Sequence, residues 1–179
     1  MLVPTLLEAM HNVTVVDNQW FGNYLKPHEN LSIIKSDTRD LSEPDLRGFT
    51  RIIHLANIAN DPAVDLDQTL SWEVNVLATQ QLMDKAIRIG DLKQFIFASS
   101  GSVYGVKDEL DVTEELSLVP ISAYNKTKMV AERVIKSYSN KVRVHSIRPA
   151  TVCGLSPRMR LDVAVNLLTF QALEKGQIT

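Results

Sequence analysis

The chain has 179 residues and lacks the features that mark several protein classes. It has one cysteine, Cys153, so no internal disulfide and no cysteine-rich zinc cluster can form, and a reducing, cytoplasmic setting is the default expectation. No apolar run approaches the roughly 20 residues that span a bilayer. The opening residues, Met1 to Glu8, contain no basic residue and put a carboxylate inside the apolar stretch, which does not read as a secretory signal. Charge of one sign is also missing. Lys plus Arg total 19 and Asp plus Glu total 21, for a net charge of -2. That balance offers no basic field for nucleic acid and no polybasic patch for a membrane surface. Internal repeats, low-complexity tracts and flexible linkers are absent from the sequence.

What is present is ordinary for one globular domain: 45% hydrophobic and 22% charged residues, enough to enclose a core. β-Branched and aromatic runs at 12–17, 31–35, 51–56, 94–98 and 142–147 read as strands. They are nearly continuously apolar, which predicts a sheet covered on both faces. Between them lie helical patterns over Leu66 to Ile89, Ala123 to Tyr138 and Leu161 to Leu173, with Gly90 and Gly176 placed to end the first and last. Strands alternating with helices predict an α/β fold with a doubly wound parallel sheet. Two features look incomplete for such a fold. The chain opens on a helical stub, Val3 to Met10, that runs straight into a strand, and it closes on Gln177-Ile178-Thr179, which reads as the start of another. The expectation is an internal portion of a longer chain.

Tyr124 and Lys128 stand four residues apart in a predicted helix, so their side chains share one face. An ammonium one turn from a phenol favours the phenolate, which equips a tyrosine as an acid or base. Taken alone the pair also fits an exposed tyrosine beside a solvated lysine. A second stretch, Ala98-Ser99-Ser100-Gly101-Ser102-Val103-Tyr104-Gly105, follows directly on the strand at 94–98. Ligands of open α/β sheets bind beyond the carboxyl ends of the strands, and a small hydroxyl residue there can bond a substrate oxygen. A serine-rich turn has the same composition.

Together, Ser-Ser-Gly-Ser-Val-Tyr-Gly, then Tyr-x-x-x-Lys 24 residues after Ser100, then Arg148-Pro149, resemble the extended short-chain dehydrogenase/reductases. These are the Rossmann-like, NAD-dependent nucleotide-sugar epimerases and dehydratases of which UDP-galactose 4-epimerase is the type. The resemblance runs in order through essentially the whole chain. It implies that Tyr124 is the catalytic tyrosine, that Lys128 tunes it and holds the nicotinamide ribose, and that Ser100 bonds the sugar oxygen. It further implies cofactor contacts from Asp17 and the adjoining Asn18 on the adenosine ribose, from Asp37 and Thr38 near adenine, from Leu55, Ala56 and Asn57 along the cofactor, and from Asn75. Asn57 departs from the family's usual alanine. A carboxylate at Asp17 selects NAD over NADP, because it repels a 2′-phosphate. Structural roles compete with each assignment: a strand-end cap for Asp17, a turn start for Asp37, satisfaction of buried backbone for Asn75. His54, Tyr104 and Cys153 read as packing residues.

The reaction implied is hydride transfer from a sugar carbon while Tyr124 takes the hydroxyl proton. Dehydratases of this family place an Asp-Glu pair just after the catalytic hydroxyl residue. This chain has Gly101 and Ser102 there, which favours a simple epimerase over a dehydratase. A nucleotide-sugar dehydratase or reductase of the same family, and a non-catalytic dinucleotide binder or inactive fragment, are the alternatives. Ser102, Arg158 and Arg160 are candidates for a nucleotide-diphosphate sugar, because guanidinium forks pair with phosphate oxygens; a surface loop with solvated arginines is the other reading of 155–160. No metal, nucleic acid or membrane is implied. Relatives pair two long helices in a homodimer.

One departure stands out. The family's Gly-x-x-Gly-x-x-Gly turn, whose amides hold a pyrophosphate, is absent, since none of the seven glycines has that spacing. The strand that precedes such a turn would lie between the strand of Asp17 and that of His54. Residues 1–179 therefore read as a partial dinucleotide-binding domain, with 155–179 beginning the substrate part. The expected consequences are weak NAD binding by these residues alone and unpaired strand edges at the gap.

Overall fold

Residues 2–178 are described in a computed structural model. Two compact units emerge. One comprises Thr14–Asn18 and Ile33–Pro149; the other gathers the segment up to Val13, Gln19–Ser32 and the chain from Ala150 onward. The elements run α1 (Leu2–Glu8), β1 (Val13–Asp17), β2 (Leu31–Lys35), β3 (Arg51–His54), α2 (Asp61–Leu66), α3 (Gln68–Trp72), α4 (Ala78–Ile89), β4 (Gln94–Ala98), α5 (Ala123–Lys136), β5 (Arg143–Ile147) and α6 (Ala164–Lys175).

The mixed α/β architecture with parallel strands matches expectation. β3, β4 and β5 form a parallel sheet in that order, with His54 beside Phe97 and Phe97 beside Ser146. β1 and β2 form a separate pair. No ladder joins the two sheets among the described residues, and the break falls where the sequence lacks its expected central strand.

Parallel strands require crossovers, which α2–α4 and α5 supply. β4 alternates, burying Phe95 and Phe97, as the two-residue period of a strand dictates. These rings pack with Leu82, Met83 and Ala86 of α4 and with Ala131 and Ile135 of α5. Gly90 ends α4 in the left-handed region at φ 86°, and Ser122 caps α5 by accepting from the Asn125 amide.

Three expectations need correction. The single helix over 66–89 is broken. Asp67 leaves helical geometry to cap α3 through the Leu70 amide, and residues Glu73–Leu77 form a π-turn before α4. The extra residue of a π-turn rotates the next helical turn about the axis, so Leu77 points outward at 51% exposure while Val76 and Ala78 are buried. The last helix starts at Ala164, after Leu161, and is not cleanly amphipathic. Asn166 is its one buried residue, while Val165, Phe170 and Leu173 are exposed. Nor is the sheet covered on both faces, because four of the five β5 residues are exposed.

Gly105 closes the turn after β4 with φ 71°, and a Cβ there would collide with the Val119 carbonyl oxygen. Gly105→Ala is therefore expected to cost about 2–4 kcal/mol through backbone strain and overpacking. Urea midpoints of variant and parent check it, and an unchanged midpoint would show that the loop moves aside freely.

Candidate active site

Leu55 to Asn57 follow β3, Ser100 and Ser102 follow β4, and Tyr124 and Lys128 lie in the first turns of α5. Beyond β4, Ser99 donates its amide to the Ile147 carbonyl at 2.8 Å, and Gly101 donates to Pro149 at 2.8 Å. The Ser-rich stretch thus continues alongside the chain leaving β5. Ser100 caps a 3-10 turn over Gly101–Tyr104. Its Oγ lies 2.7 Å from the Ser102 Oγ, and the Ser102 hydroxyl donates to the Asn125 side-chain carbonyl on α5.

α5 carries Tyr124, half-buried, and Lys128, which is 2% exposed. The Lys128 ammonium donates to the Ala98 carbonyl at 2.7 Å and sits 4.7 Å from the Phe97 ring centroid. Burial pushes its pKa down to about 8, and the carboxylate of Glu132 one turn on works the other way. Glu132 is held by Arg148 through two forked bonds of 2.9 and 2.7 Å, and Arg148 also donates to the Tyr104 hydroxyl at 2.8 Å. The Glu132 bonds, then the Tyr104 bond, hold the guanidinium pKa up against partial burial. One partly buried ion pair thereby joins the turn after Ser100, the helix of Tyr124 and Lys128, and the end of β5.

A neutral network lies beside this cation. His54 Nε2 is 2.9 Å from the Thr79 Oγ1, whose proton goes to the Asn75 carbonyl at 2.9 Å. With the Thr79 proton committed, His54 is the donor and carries its proton on Nε2. Burial, then the nearby Lys128 charge, lower its pKa to about 4. Asn75, 1% exposed, accepts from the Ile58 amide at 2.7 Å and donates to the Ile58 carbonyl and to Thr127, each at 3.1 Å. Thr127 in turn bonds the Tyr124 carbonyl at 2.7 Å. The Asn75 amide is fully engaged in holding the loop after β3, a role in satisfying buried backbone.

That loop holds Leu55, exposed, and Ala56 and Asn57, half-buried. Asn57 Oδ1 and Ser99 Oγ are both buried without a hydrogen-bond partner. They follow the ends of adjacent strands. Such orphaned atoms are costly unless a ligand or water completes them, so this strand edge fits a polar cofactor such as NAD.

The remaining candidates are disposed differently. Asp17 ends β1 and is exposed, with Asn18 half-buried after it. Asp37 opens a 3-10 turn that includes Thr38, and its carboxylate takes the Arg39 guanidinium at 3.0 and 2.9 Å. Those side-chain bonds hold its pKa below the usual carboxylate value. Arg158 and Arg160 belong to the other unit. Arg158 stacks on Phe21 with its Cζ 3.2 Å from the ring centroid, and Arg160 forks onto Asp162 at 2.9 and 2.6 Å. Thr79, Thr127 and Asn125 were not singled out by sequence. Glu132, four residues after Lys128, had a spacing signal available.

A family model described as the NAD dependent epimerase/dehydratase family matches residues 1–176. The chain belongs to that family. It is 34% identical over 167 residues to an uncharacterised UDP-glucose epimerase of Bacillus subtilis, covering 87% of this chain and 49% of that one. It is 30% identical over 138 residues to the UDP-glucose 4-epimerase of Corynebacterium glutamicum, covering 75% and 41%. It therefore spans less than half the length of these relatives. Among solved structures, a UDP-glucuronic acid 4-epimerase of Bacillus cereus in complex with NAD superposes with TM-score 0.81 at 27% identity, covering 97% of this chain and 59% of the other. A dTDP-glucose 4,6-dehydratase of Streptomyces venezuelae, at 24% identity and TM-score 0.82, covers 98% and 59% and shows the shared fold alone.

The His54 environment fixes a sign. Its folded pKa is lowered to about 4 from an unfolded value near 6.5, so it contributes stability above pH 6.5 that is lost as pH falls toward 4. The full amount is about 3 kcal/mol. Urea titrations at pH 7 and pH 4.5 are expected to show a shallower acid loss in His54→Gln than in the parent. Equal losses would refute a buried neutral imidazole.

Proposed function

We propose that this chain is the cofactor-binding and catalytic portion of an NAD-dependent nucleotide-sugar epimerase. The observation that carries the reading is Lys128, buried with its ammonium on the Ala98 carbonyl. It stands at the strand end from which Ser100 departs and one turn along α5 from Tyr124. When bound, NAD supplies the hydride acceptor and donor. Tyr124 takes the sugar hydroxyl proton and returns it, Lys128 keeps a positive charge beside the phenol, and Ser100 bonds a sugar oxygen. Asn57 Oδ1 and Ser99 Oγ, both orphaned, are completed by the cofactor, which also meets Leu55 and Ala56. Asp17 with Asn18 takes the adenosine ribose, and Asp37 with Thr38 lies near adenine. Asn75 contributes by fixing the loop at Ile58.

Gly101 and Ser102 offer no carboxylate for water elimination, so epimerisation is favoured over dehydration. Both UDP-glucose epimerases named above support the same class. Residues 155–179 open the substrate part, where Arg158 and Arg160 are the candidates for a diphosphate. A cytoplasmic location and a homodimer through the helices at 68–89 and 123–136 complete the reading. Among the described residues no helix is long and apolar enough to cross a membrane.

Intact protein purified from its source should interconvert C4 epimers of a nucleotide-diphosphate sugar with NAD. Tyr124→Phe is expected to lower kcat about a thousandfold with an unchanged melting temperature; undiminished turnover would reject the reading. Because Lys128 is charged below a pKa of about 8, turnover should decline as pH rises through that value. A Lys128→Met variant should be slow and lack this limb. Calorimetry on residues 1–179 alone should find NAD binding weaker than micromolar, since no Gly-x-x-Gly-x-x-Gly turn is present. A micromolar dissociation constant would overturn that expectation.

A further inference from the structure

The hydroxyl chain that begins at Ser100 has a direction. The Ser102 hydroxyl donates to the Asn125 side-chain oxygen, and a serine hydroxyl has one proton. Ser102 therefore cannot also donate to Ser100, and the 2.7 Å contact between the two Oγ atoms must use the Ser100 proton. Ser100 Oγ meanwhile accepts from the Ser102 amide at 3.3 Å. What Ser100 has left is a lone pair. Asn125 itself is 8% exposed and sits beside Tyr124 on α5, its amide held by Ser122. Its orientation is set by the helix rather than by solvent.

We propose that Asn125, acting through Ser102, is a positioning residue that holds the Ser100 hydroxyl as a hydrogen-bond acceptor toward the sugar. An acceptor at Ser100 receives the proton of a sugar hydroxyl beside the reacting one, whose own proton goes to Tyr124, and so orients the sugar. The carboxylate side chains that family dehydratases place here would accept rather than relay a serine proton, so the Ser102–Asn125 pair is a neutral replacement with its own function. The inference rests on the epimerase reading above.

The test uses the intact protein and three variants, Ser102→Ala, Asn125→Ala and Asn125→Asp, with the double variant of the first two. Thermal melts, NAD affinity and epimerase kcat are read across pH 5–8. The single alanine variants should each lose about fivefold in kcat, the worth of one hydrogen bond, with NAD affinity unchanged. The double variant should be no slower than either single one, because both break the same chain. Asn125→Asp keeps an acceptor, so it should recover most of what Asn125→Ala loses at pH 8. The recovery should persist across pH 5–8, because the carboxyl keeps an oxygen acceptor for Ser102 throughout. A merely structural role for Asn125 would lower the melting temperature and NAD affinity of Asn125→Ala together with kcat. If the intact protein turns over and both alanine variants match it, the positioning role is refuted and the epimerase reading stands. If alanine losses multiply in the double variant, the two residues act separately and the proposal is overturned. If the intact protein binds NAD but epimerises no nucleotide-diphosphate sugar, the epimerase reading fails and takes this inference with it.

Discussion

A buried ammonium organises this molecule. Taking a lysine out of water costs several kcal/mol unless its surroundings return the lost hydration. At Lys128 the return comes from the Ala98 carbonyl, the face of the Phe97 ring and the carboxylate of Glu132 one helical turn away. Glu132 would itself be an expensive buried charge, and Arg148 neutralises it through a fork that reaches on to Tyr104. These partners lie in β4, in α5, in the turn at Tyr104 and just beyond β5. Satisfying one cation therefore fixes the end of β4, the turn after it, α5 and the end of β5 against one another. Those are the segments that carry Ser100, Tyr124 and Lys128.

A neutral network lies on the other flank. Burial first, and the nearby Lys128 charge second, keep the imidazole of His54 uncharged, and it donates to Thr79. Thr79 donates to the backbone carbonyl of Asn75, within the π-turn, and the Asn75 side-chain amide separately holds the backbone of Ile58. The loop after β3 is thus positioned by groups that are fully paired. Its own Asn57 oxygen is not, and neither is the Ser99 hydroxyl after β4. Paired groups support the site, while the unpaired ones point to where a ligand belongs, as the strand edges of open α/β sheets generally do.

Much of the fold was legible in local sequence. β2 and β4 run over the residues their β-branched and aromatic runs mark, 31–35 and 94–98, and Gly90 stops α4 where its spacing says it should. These signals are local, and each element's periodicity is enough to read them. The helix over 66–89 was misjudged because its interruption is not local. The π-turn places Asn75 against Ile58, 17 residues earlier in the chain. Nothing in the spacing of apolar residues reports such a bond. The last helix failed for a related reason: its apolar residues outnumber what its own unit buries, so composition there is a poor guide to a face.

The sequence by itself determined the alternation of strands and helices, the Tyr124–Lys128 spacing and the absence of a carboxylate at 101 and 102, because these depend only on residue identity and helical or strand period. Only the tertiary structure decided the charge and hydrogen-bond state of the site. It buried Lys128, turned His54 neutral, engaged Asn75 with backbone, committed Asp37 to Arg39 and aimed the hydroxyls of Ser100 and Ser102. Those properties depend on desolvation, on local backbone geometry at Asp37–Arg39 and Ser100–Ser102, and on atoms brought together from distant segments, and the linear order of residues does not encode these until the chain is folded.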